Sequence, residues 1–296
     1  MDRLTLALWA VNMADTPASL EDVAARIEAR LAEAAATGAA ILVLPELWSE
    51  QWLPLAPRDL PETAEIAWMG EQGARLLERL QPLPARHGVA LLAGSWPAWS
   101  GAGWVNRAQL LLPEGHIETQ DKLCLTPSER DPEAWTMVPG DRLRIVRWRG
   151  LRLAMPICLD IEQPALAAAL QPLDLDLLLV PSMTGQASGQ ARVTGCAKAR
   201  AVELMATVAT VGCIGSTALP APRANVGGAA AYVPCEPSLG HTGVVVEALW
   251  AARADGPGPL VLARDLPIAG VRALRHGAAE VWPGPWSAAH VRIDEA

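Results

Sequence analysis

Phenylalanine is missing from this chain and tyrosine occurs once, yet twelve tryptophans stand among its 296 residues. Large aromatic packing therefore falls almost entirely to indole rings, and some of them are expected to line any pocket. No CxxC pair occurs. The five cysteines, at 124, 158, 196, 213 and 235, are odd in number and widely spaced. That pattern argues against a zinc ribbon or redox dithiol and predicts free thiols, with no metal and no cofactor. A basic surplus is absent too: the formal net charge is −8, which leaves no footprint for nucleic acid. No window offers roughly 18 uninterrupted apolar residues, so a membrane-spanning helix is not expected. The opening "MDRLTLALWAVNMAD" places Asp2 and Arg3 at its start and shows no small-residue cleavage site, unlike a secretory leader. These absences together predict a cytoplasmic protein that engages neither nucleic acid nor membrane.

What is present is a large apolar fraction, 51%, beside 19% charged residues, enough for a substantial core. "RLTLALW" reads as a strand. In "ASLEDVAARIEARLAEAAATGA", Leu20, Val23, Ile27, Leu31 and Ala34 recur on one helical face. Ser19 with Asp22 forms a capping box and Gly38 a C-cap. "AILVLPEL" then has the continuous apolar character of a strand buried on both faces. A helix is expected within Glu62–Arg86, followed by a strand at "VALLAG". Two hairpins should turn at Glu114–Gly115 and near Arg149–Gly150. A short helix from about Pro164 precedes the strand "LDLLLVPS"; the helix "ARVTGCAKARAVEL" precedes the strand "ATVATVGCI". Further strands are expected near Val226–Val233, Gly243–Ala248 and Pro259–Ala263, with a helix near Ile268–Arg275. Alternating β-α units interrupted by hairpins predict layered α/β architecture with mixed sheets, and no linker divides the chain. One domain over residues 1–296 is expected, its last ~20 residues a tail or an arm for oligomerisation.

Three reactive side chains share one context, an apolar strand delivering them at or just past its end: Glu46 in "ILVLPELW", Lys122 in "ETQDKLCL" and Cys158 in "LAMPICLD". Ligands of α/β folds gather at strand ends, so the three can converge. Each also has an ordinary reading. Glu46 is either a solvated carboxylate or a general base raised by burial. Lys122 is either an exposed hairpin lysine or an oxyanion stabiliser. Cys158 is either an inert buried thiol or a nucleophile, helped by a helix N-terminus if Pro164 occupies the first turn.

Taken in order along the chain, "GAAILVLPELW", "LLPEGHIETQDKLCL" and "LRLAMPICLDIEQP", followed by "DLLLVPS" and "ARAVEL", resemble the nitrilase superfamily of carbon–nitrogen hydrolases. "WVNRAQLLLPEG" adds the asparagine strand typical before the lysine turn. The resemblance spans nearly the whole chain. It implies a four-layer α-β-β-α sandwich with two mixed sheets, and a catalytic set in which Glu46 is base and acid, Lys122 stabilises the oxyanion and Cys158 is the nucleophile. It further implies a second glutamate after the lysine. Glu129 and Glu133 compete for that place, and the seven-residue spacing to Gly140 favours Glu133. The expected reaction is hydrolysis of a small amide or N-carbamoyl compound through a cysteine thioester, with water as co-substrate. Nitrile hydrolysis, acyl transfer and a non-catalytic binding role are the alternatives. A homodimer or larger assembly is implied by the family alone.

The sequence departs from the pattern in places. Cys124 stands where relatives often carry histidine, and Leu159, Gln163 and Ala165 replace an aromatic residue and a Phe-Pro-Glu run. "CLDIE" resembles the amidase and carbamoylase branches more than the nitrile hydrolysers, which show Trp-Glu there. Substrate contacts are expected from Trp48, Trp135, Ser182, Met183 and the backbone N–H of Leu159. Trp48, Trp52 and Trp135 have an equal claim to the core, and Arg192 and Arg223 are expected on the solvated surface, with binding of a substrate carboxylate as their alternative.

Overall fold

The first strand shows how the layers arise. In β1 (Leu4–Trp9) the pleat sends Leu4, Leu6 and Leu8 to one face and Ala7 and Trp9 to the other, and each set joins a different buried cluster. A strand apolar on both faces must be covered on both. The structure, a computed structural model, describes residues 1–250 and 256–295.

After β1 come α1 (Leu20–Ala36), β2 (Ile41–Val43), α2 (Glu62–Leu80), α3 (Leu83–His87), β3 (Ala90–Trp99), β4 (Trp104–Leu111) and β5 (Ile117–Asp121). The middle of the chain supplies α4 (Pro127–Arg130), β6 (Val146–Trp148), β7 (Leu151–Ala154), α5 (Pro164–Leu170), β8 (Leu177–Ser182), α6 (Ala187–Glu203) and β9 (Thr207–Gly212). It closes with β10 (Gly215–Ser216), β11 (Ala224–Asn225), β12 (Gly227–Tyr232), β13 (Val244–Trp250), β14 (Leu260–Leu266) and α7 (Ile268–Ala273). Among the described residues two six-stranded sheets form, ordered β14-β1-β2-β3-β4-β5 and β13-β12-β9-β8-β7-β6. Each is mixed, with a parallel centre (β1-β2-β3 and β7-β8-β9) and antiparallel wings.

One cluster unites the inward faces of both sheets, with Leu6, Leu8, Ile41 and Val43 from the first and Leu153, Leu177 and Leu179 from the second. Val193, Ala197 and Ala201 of α6 cover the second sheet, while Val23, Ile27 and Leu31 of α1 and Leu76 and Leu80 of α2 cover the first. The result is the expected four-layer α-β-β-α sandwich. Both hairpins turn where expected; Arg149 and Gly150 adopt φ of 48° and 77°, the left-handed pair that a two-residue turn requires.

Local differences from the sequence reading have identifiable causes. The helix expected within Glu62–Arg86 is α2, which ends at Leu80, and the same span also holds the start of α3, capped by Pro82. β3 runs five residues past "VALLAG" to Trp99, with a register shift between Leu92 and Ser95. Gly94 there has φ of 71°, and a Cβ on it would stand 2.0 Å from the Pro45 carbonyl oxygen, so only glycine lets β3 pass the turn that carries Glu46. α6 begins at Ala187, four residues before the expected start. Among the described residues no helix is long and apolar enough to cross a membrane. The final segment leaves Val281 79% and Ile293 92% exposed.

Candidate active site

Glu46 follows β2 in the first sheet, Lys122 follows β5 in the same sheet, and Cys158 follows β7 in the second. All three lie where strands end, and the sandwich brings these ends together. The Glu46 backbone N–H donates to the Ser182 carbonyl at 3.3 Å, joining the exits of β2 and β8 across the two sheets.

The Lys122 ammonium is buried and donates to Glu46 Oε1 and to Glu129 Oε2, both at 2.7 Å. Asn106, on β4, completes the group: its Nδ2 donates to Glu46 Oε1 at 2.8 Å and to Glu129 Oε1 at 2.9 Å. The Asn106 carbonyl also accepts the Lys122 N–H at 2.9 Å, so one residue holds the lysine by its backbone and both carboxylates by its side chain. On the opposite side the Gly140 N–H donates to the Lys122 carbonyl at 2.8 Å. A Cβ on Gly140 would approach Asp121 to 2.8 Å, which accounts for glycine at that position.

The glutamate that shares Lys122 with Glu46 is Glu129, whereas Glu133 makes no contact with the lysine. Glu133 is exposed, and its backbone N–H donates to Asp131 Oδ1. Glu129 is 3% exposed and doubles as the capping glutamate of α4. Its Oε2 accepts from the Thr126 N–H at 2.8 Å, and its own N–H donates to Thr126 Oγ1 at 3.3 Å. The signal was in the sequence: "TPSE" is a Thr-x-x-Glu capping box with proline in the first turn, which folds Glu129 back toward the lysine. Spacing to Gly140 was the poorer guide.

Cys158 occupies a left-handed backbone conformation, φ 46°, and Leu47, next to Glu46, does likewise at 42°. Such conformations cost non-glycine residues of order 1–3 kcal/mol and persist where the surroundings impose them. Here they turn the chain sharply so that each side chain leaves its strand toward the same point. A 3-10 turn over Cys158–Glu162 separates the cysteine from α5, so the expected placement at that helix's N-terminus does not hold. The Cys158 thiol is close enough to Glu46 and Lys122 to feel both charges, and it lies 3.6 Å from the Met183 carbonyl oxygen.

Burial pushes the Cys158 thiol well above its ordinary range, the Glu46 charge adds to this, and Lys122 opposes it. Burial likewise raises the Glu46 carboxyl; Lys122 pulls it down and Glu129 pushes it further up. For Lys122, burial alone would favour the neutral amine, but the two carboxylates outweigh it and hold the ammonium above the usual lysine range. The site therefore keeps a fixed cation beside a thiol whose ionisation burial opposes and a carboxylate whose affinity for a proton burial raises. A proton leaving sulfur has a matched acceptor on Glu46, which suits transfer concerted with bond formation.

Cys158 opens into a cleft of about 260 Å³ lined by Thr126, Leu159, Glu162, Met183 and Arg192 among others. Of the residues expected to contact substrate, Leu159 and Met183 line this cleft. Arg192, expected on the open surface, is 61% exposed yet reaches this rim, bonding Glu162 from Nε at 3.0 Å. Other expected contacts do not reach the cleft. Trp48 is buried in the core, its indole N–H donated to the Ala93 carbonyl at 2.8 Å and its ring edge-on to Trp52 at 5.0 Å. Ser182 is buried with its hydroxyl donated to the Val211 carbonyl at 3.1 Å. Trp135 stands outside the cleft lining, held by Glu65 at 3.3 Å with Arg223 over its ring. Asn106 was read only as part of a strand pattern; its side-chain role depends on two carboxylates that are distant in sequence.

Comparison with known proteins accords with this geometry. The family model for carbon–nitrogen hydrolases matches residues 5–234. A probable hydrolase, YhcX of Bacillus subtilis, is 28% identical over 198 residues, covering 67% of this chain and 38% of that protein. An (R)-stereoselective amidase of Pseudomonas is 35% identical over 119 residues, 40% of this chain and 41% of the relative. The chain thus spans less than half the length of these two. The omega-amidase YafV of Escherichia coli is 28% identical over 216 residues, 72% of this chain and 75% of that one. In three dimensions an amidase from Nesterenkonia superposes with a TM-score of 0.68 at 22% identity, covering 92% of this chain and 94% of that one. A glutamate-to-glutamine mutant of the same amidase, with the acetamide moiety of fluoroacetamide added covalently at its active-site cysteine, also gives 0.68 at 22% identity, covering 92% and 95%. The matched span shows that the chain belongs to the carbon–nitrogen hydrolase family.

Proposed function

We propose that this member of the carbon–nitrogen hydrolase family cleaves the C–N bond of a small amide or N-carbamoyl compound through a thioester on Cys158. The observation that carries the reading is the convergence of the Cys158 thiol, the Glu46 carboxyl and the Lys122 ammonium at one buried point beside a cleft. The names of amidase relatives point the same way. The cleft's volume, about 260 Å³, lies below the range of about 300–1,000 Å³ usual for drug-sized ligands and suits a small substrate.

An amide carbon is a poor electrophile, so attack needs sulfur stripped of its proton and a cation for the oxygen. As Sγ bonds to the carbonyl carbon, the thiol proton passes to Glu46. The oxyanion is stabilised by Lys122 and by the Leu159 N–H. Glu46 then gives its proton to the nitrogen, the C–N bond breaks, and amine or ammonia leaves with the acyl group on sulfur. Water enters, Glu46 takes its proton, hydroxide attacks the thioester, and the carboxylic acid departs as sulfur regains a proton. Glu129 and Asn106 hold Lys122 and Glu46 in place through both half-reactions.

The test is ammonia release across short aliphatic amides, carbamoyl compounds and nitriles, with mass spectrometry for the acyl adduct. The parent protein should release ammonia from an amide and carry the adduct on Cys158, and Cys158→Ala should do neither while keeping its fold. Full activity in Cys158→Ala sinks the mechanism. Turnover of nitriles alone, or acyl transfer to an added amine faster than to water, would move the reading to those reactions.

A further inference from the structure

Asp160 lies two residues beyond Cys158, is 1% exposed, and bonds neither Glu46 nor Lys122 directly. Its carboxylate instead binds backbone on both sides of the site. Oδ1 accepts the N–H of Leu123 at 3.1 Å and of Cys124 at 2.7 Å. Oδ2 accepts the N–H of Ile157 at 3.0 Å, with Leu123 also within 3.3 Å. Leu123 and Cys124 immediately follow Lys122; Ile157 immediately precedes Cys158.

These two segments exit different sheets. β5 is the edge of the first, β7 lies inside the second, and no strand pairing connects them. The distance between the ammonium and the nucleophile is therefore not set by any β-ladder. Glu46, Glu129 and Asn106 hold the lysine on its own side; the link to the cysteine loop needs a tie between the two loops, and one buried carboxylate receives N–H groups from both. The Asp160 N–H closes the tie by donating to the Ile157 carbonyl at 3.0 Å, bracing the left-handed turn at Cys158. Hydrogen bonds to an ionised acceptor are shorter and stronger than neutral ones, which suits a joint that must hold a cation in register.

We propose that Asp160 is a positioning residue for the nucleophilic step, fixing Lys122 relative to Cys158 by gripping the backbone beside each. The inference rests on the thioester reading above. A carboxamide at this place keeps the shape but presents N–H groups to backbone N–H groups on one side, so one of the two loops is released.

Charge and geometry predict opposite signs, which makes the experiment decisive. Removing a negative charge from the neighbourhood of Cys158, which Glu46 and Lys122 otherwise control, would by itself favour the thiolate and speed alkylation. Losing the register of Lys122 would slow it. Asp160→Asn and Asp160→Ser are made in the full chain, with folding followed by circular dichroism and thermal melting. Cys158 labelling by iodoacetamide is measured near pH 7.5 against Cys196 and Cys235 as internal references. In a folded variant, Cys158 alkylation should slow at least about fivefold with the reference thiols unchanged, and kcat should fall by about 100-fold with KM within about threefold, the scale of a misplacement near 1 Å. Alkylation that is unchanged or faster overturns the proposal, as does kcat per folded molecule equal to that of the parent. Failure of both variants to fold at 10 °C also overturns it, leaving Asp160 a folding residue only. The alkylation readout needs no substrate. If Cys158→Ala keeps full activity, the functional reading fails while this measurement still reports on position.

Discussion

Two clusters in this molecule are built alike and placed differently. In one, Lys122 serves Glu46 and Glu129 with side chains 2%, 2% and 4% exposed. In the other, Arg223 serves Glu50 at 3.2 Å and Glu65 at 2.8 Å, with Glu62 at 3.7 Å, and is itself 29% exposed. Both put a single cation between carboxylates. At Lys122 burial leaves the bulk solvent little part in screening the charge, so the two carboxylates carry most of the compensation. At Arg223 solvent screens the outer contacts, and the guanidinium ties the 217–225 loop to α2 and to the turn after Glu46. The same pattern is sealed from solvent beside the Cys158 thiol in one place and ties loops together near the surface in the other.

The sharpest way to break this contrast is to remove each centre in turn. Lys122→Ala leaves two buried carboxylates without their cation; it should cost about 3–5 kcal/mol in denaturant unfolding and at least about 10²–10³-fold in kcat. A stable, active Lys122→Ala would show that the buried cluster is not electrostatically coupled. Next is Glu129→Gln, which keeps the shape but not the charge; kcat should fall by about 100-fold, the scale of disturbed alignment. Glu133→Gln should leave kcat within about twofold, because that side chain is exposed and outside the cluster. Equal effects from the two would refute the assignment of Glu129.

The Arg223 cluster makes a pH prediction. Burial lifts the Glu50 carboxyl from 4.5 to about 7, against the pull of Arg223. A carboxyl raised on folding favours the folded state most when protonated. Its contribution is full below the unfolded value and fades as pH rises from about 4.5 to about 7. Glu50→Gln should flatten the fall in stability over that window, read as melting temperature against pH; an unchanged slope would place the titration elsewhere. The smallest effect belongs to Arg192→Ala. Its bond to Glu162 is largely solvated, so stability should move by less than about 1 kcal/mol.

Much of the site was legible before folding was considered. Glu46, Lys122 and Cys158 each end an apolar run, and strand ends are where such a fold exposes reactive groups. The layers were legible too, since "LTLALW" and "AILVLPEL" are apolar on both faces and demand cover on each. Less legible were features depending on contacts between distant segments. Spacing pointed to Glu133, while the capping box at Thr126 turned Glu129 inward. Trp48 looked like a pocket residue because it neighbours Glu46 in sequence and Ser182 because it ends an apolar strand, but the Ala93 and Val211 carbonyls claim their polar atoms. The thiol's environment was misjudged for a related reason. A helix N-terminus would have lowered its pKa, whereas burial and the Glu46 charge raise it.

By itself the sequence determined the strands, the helices that cover them, and which three side chains end where chemistry can occur, because periodicity and turn residues act over a few neighbours. Only the tertiary structure decided that Lys122 is a buried cation shared by two carboxylates, that Asn106 bridges them, and that Asp160 joins two loops no β-ladder connects. Those outcomes depend on desolvation and on hydrogen bonds between segments far apart in the chain, and neither exists until the two sheets have packed.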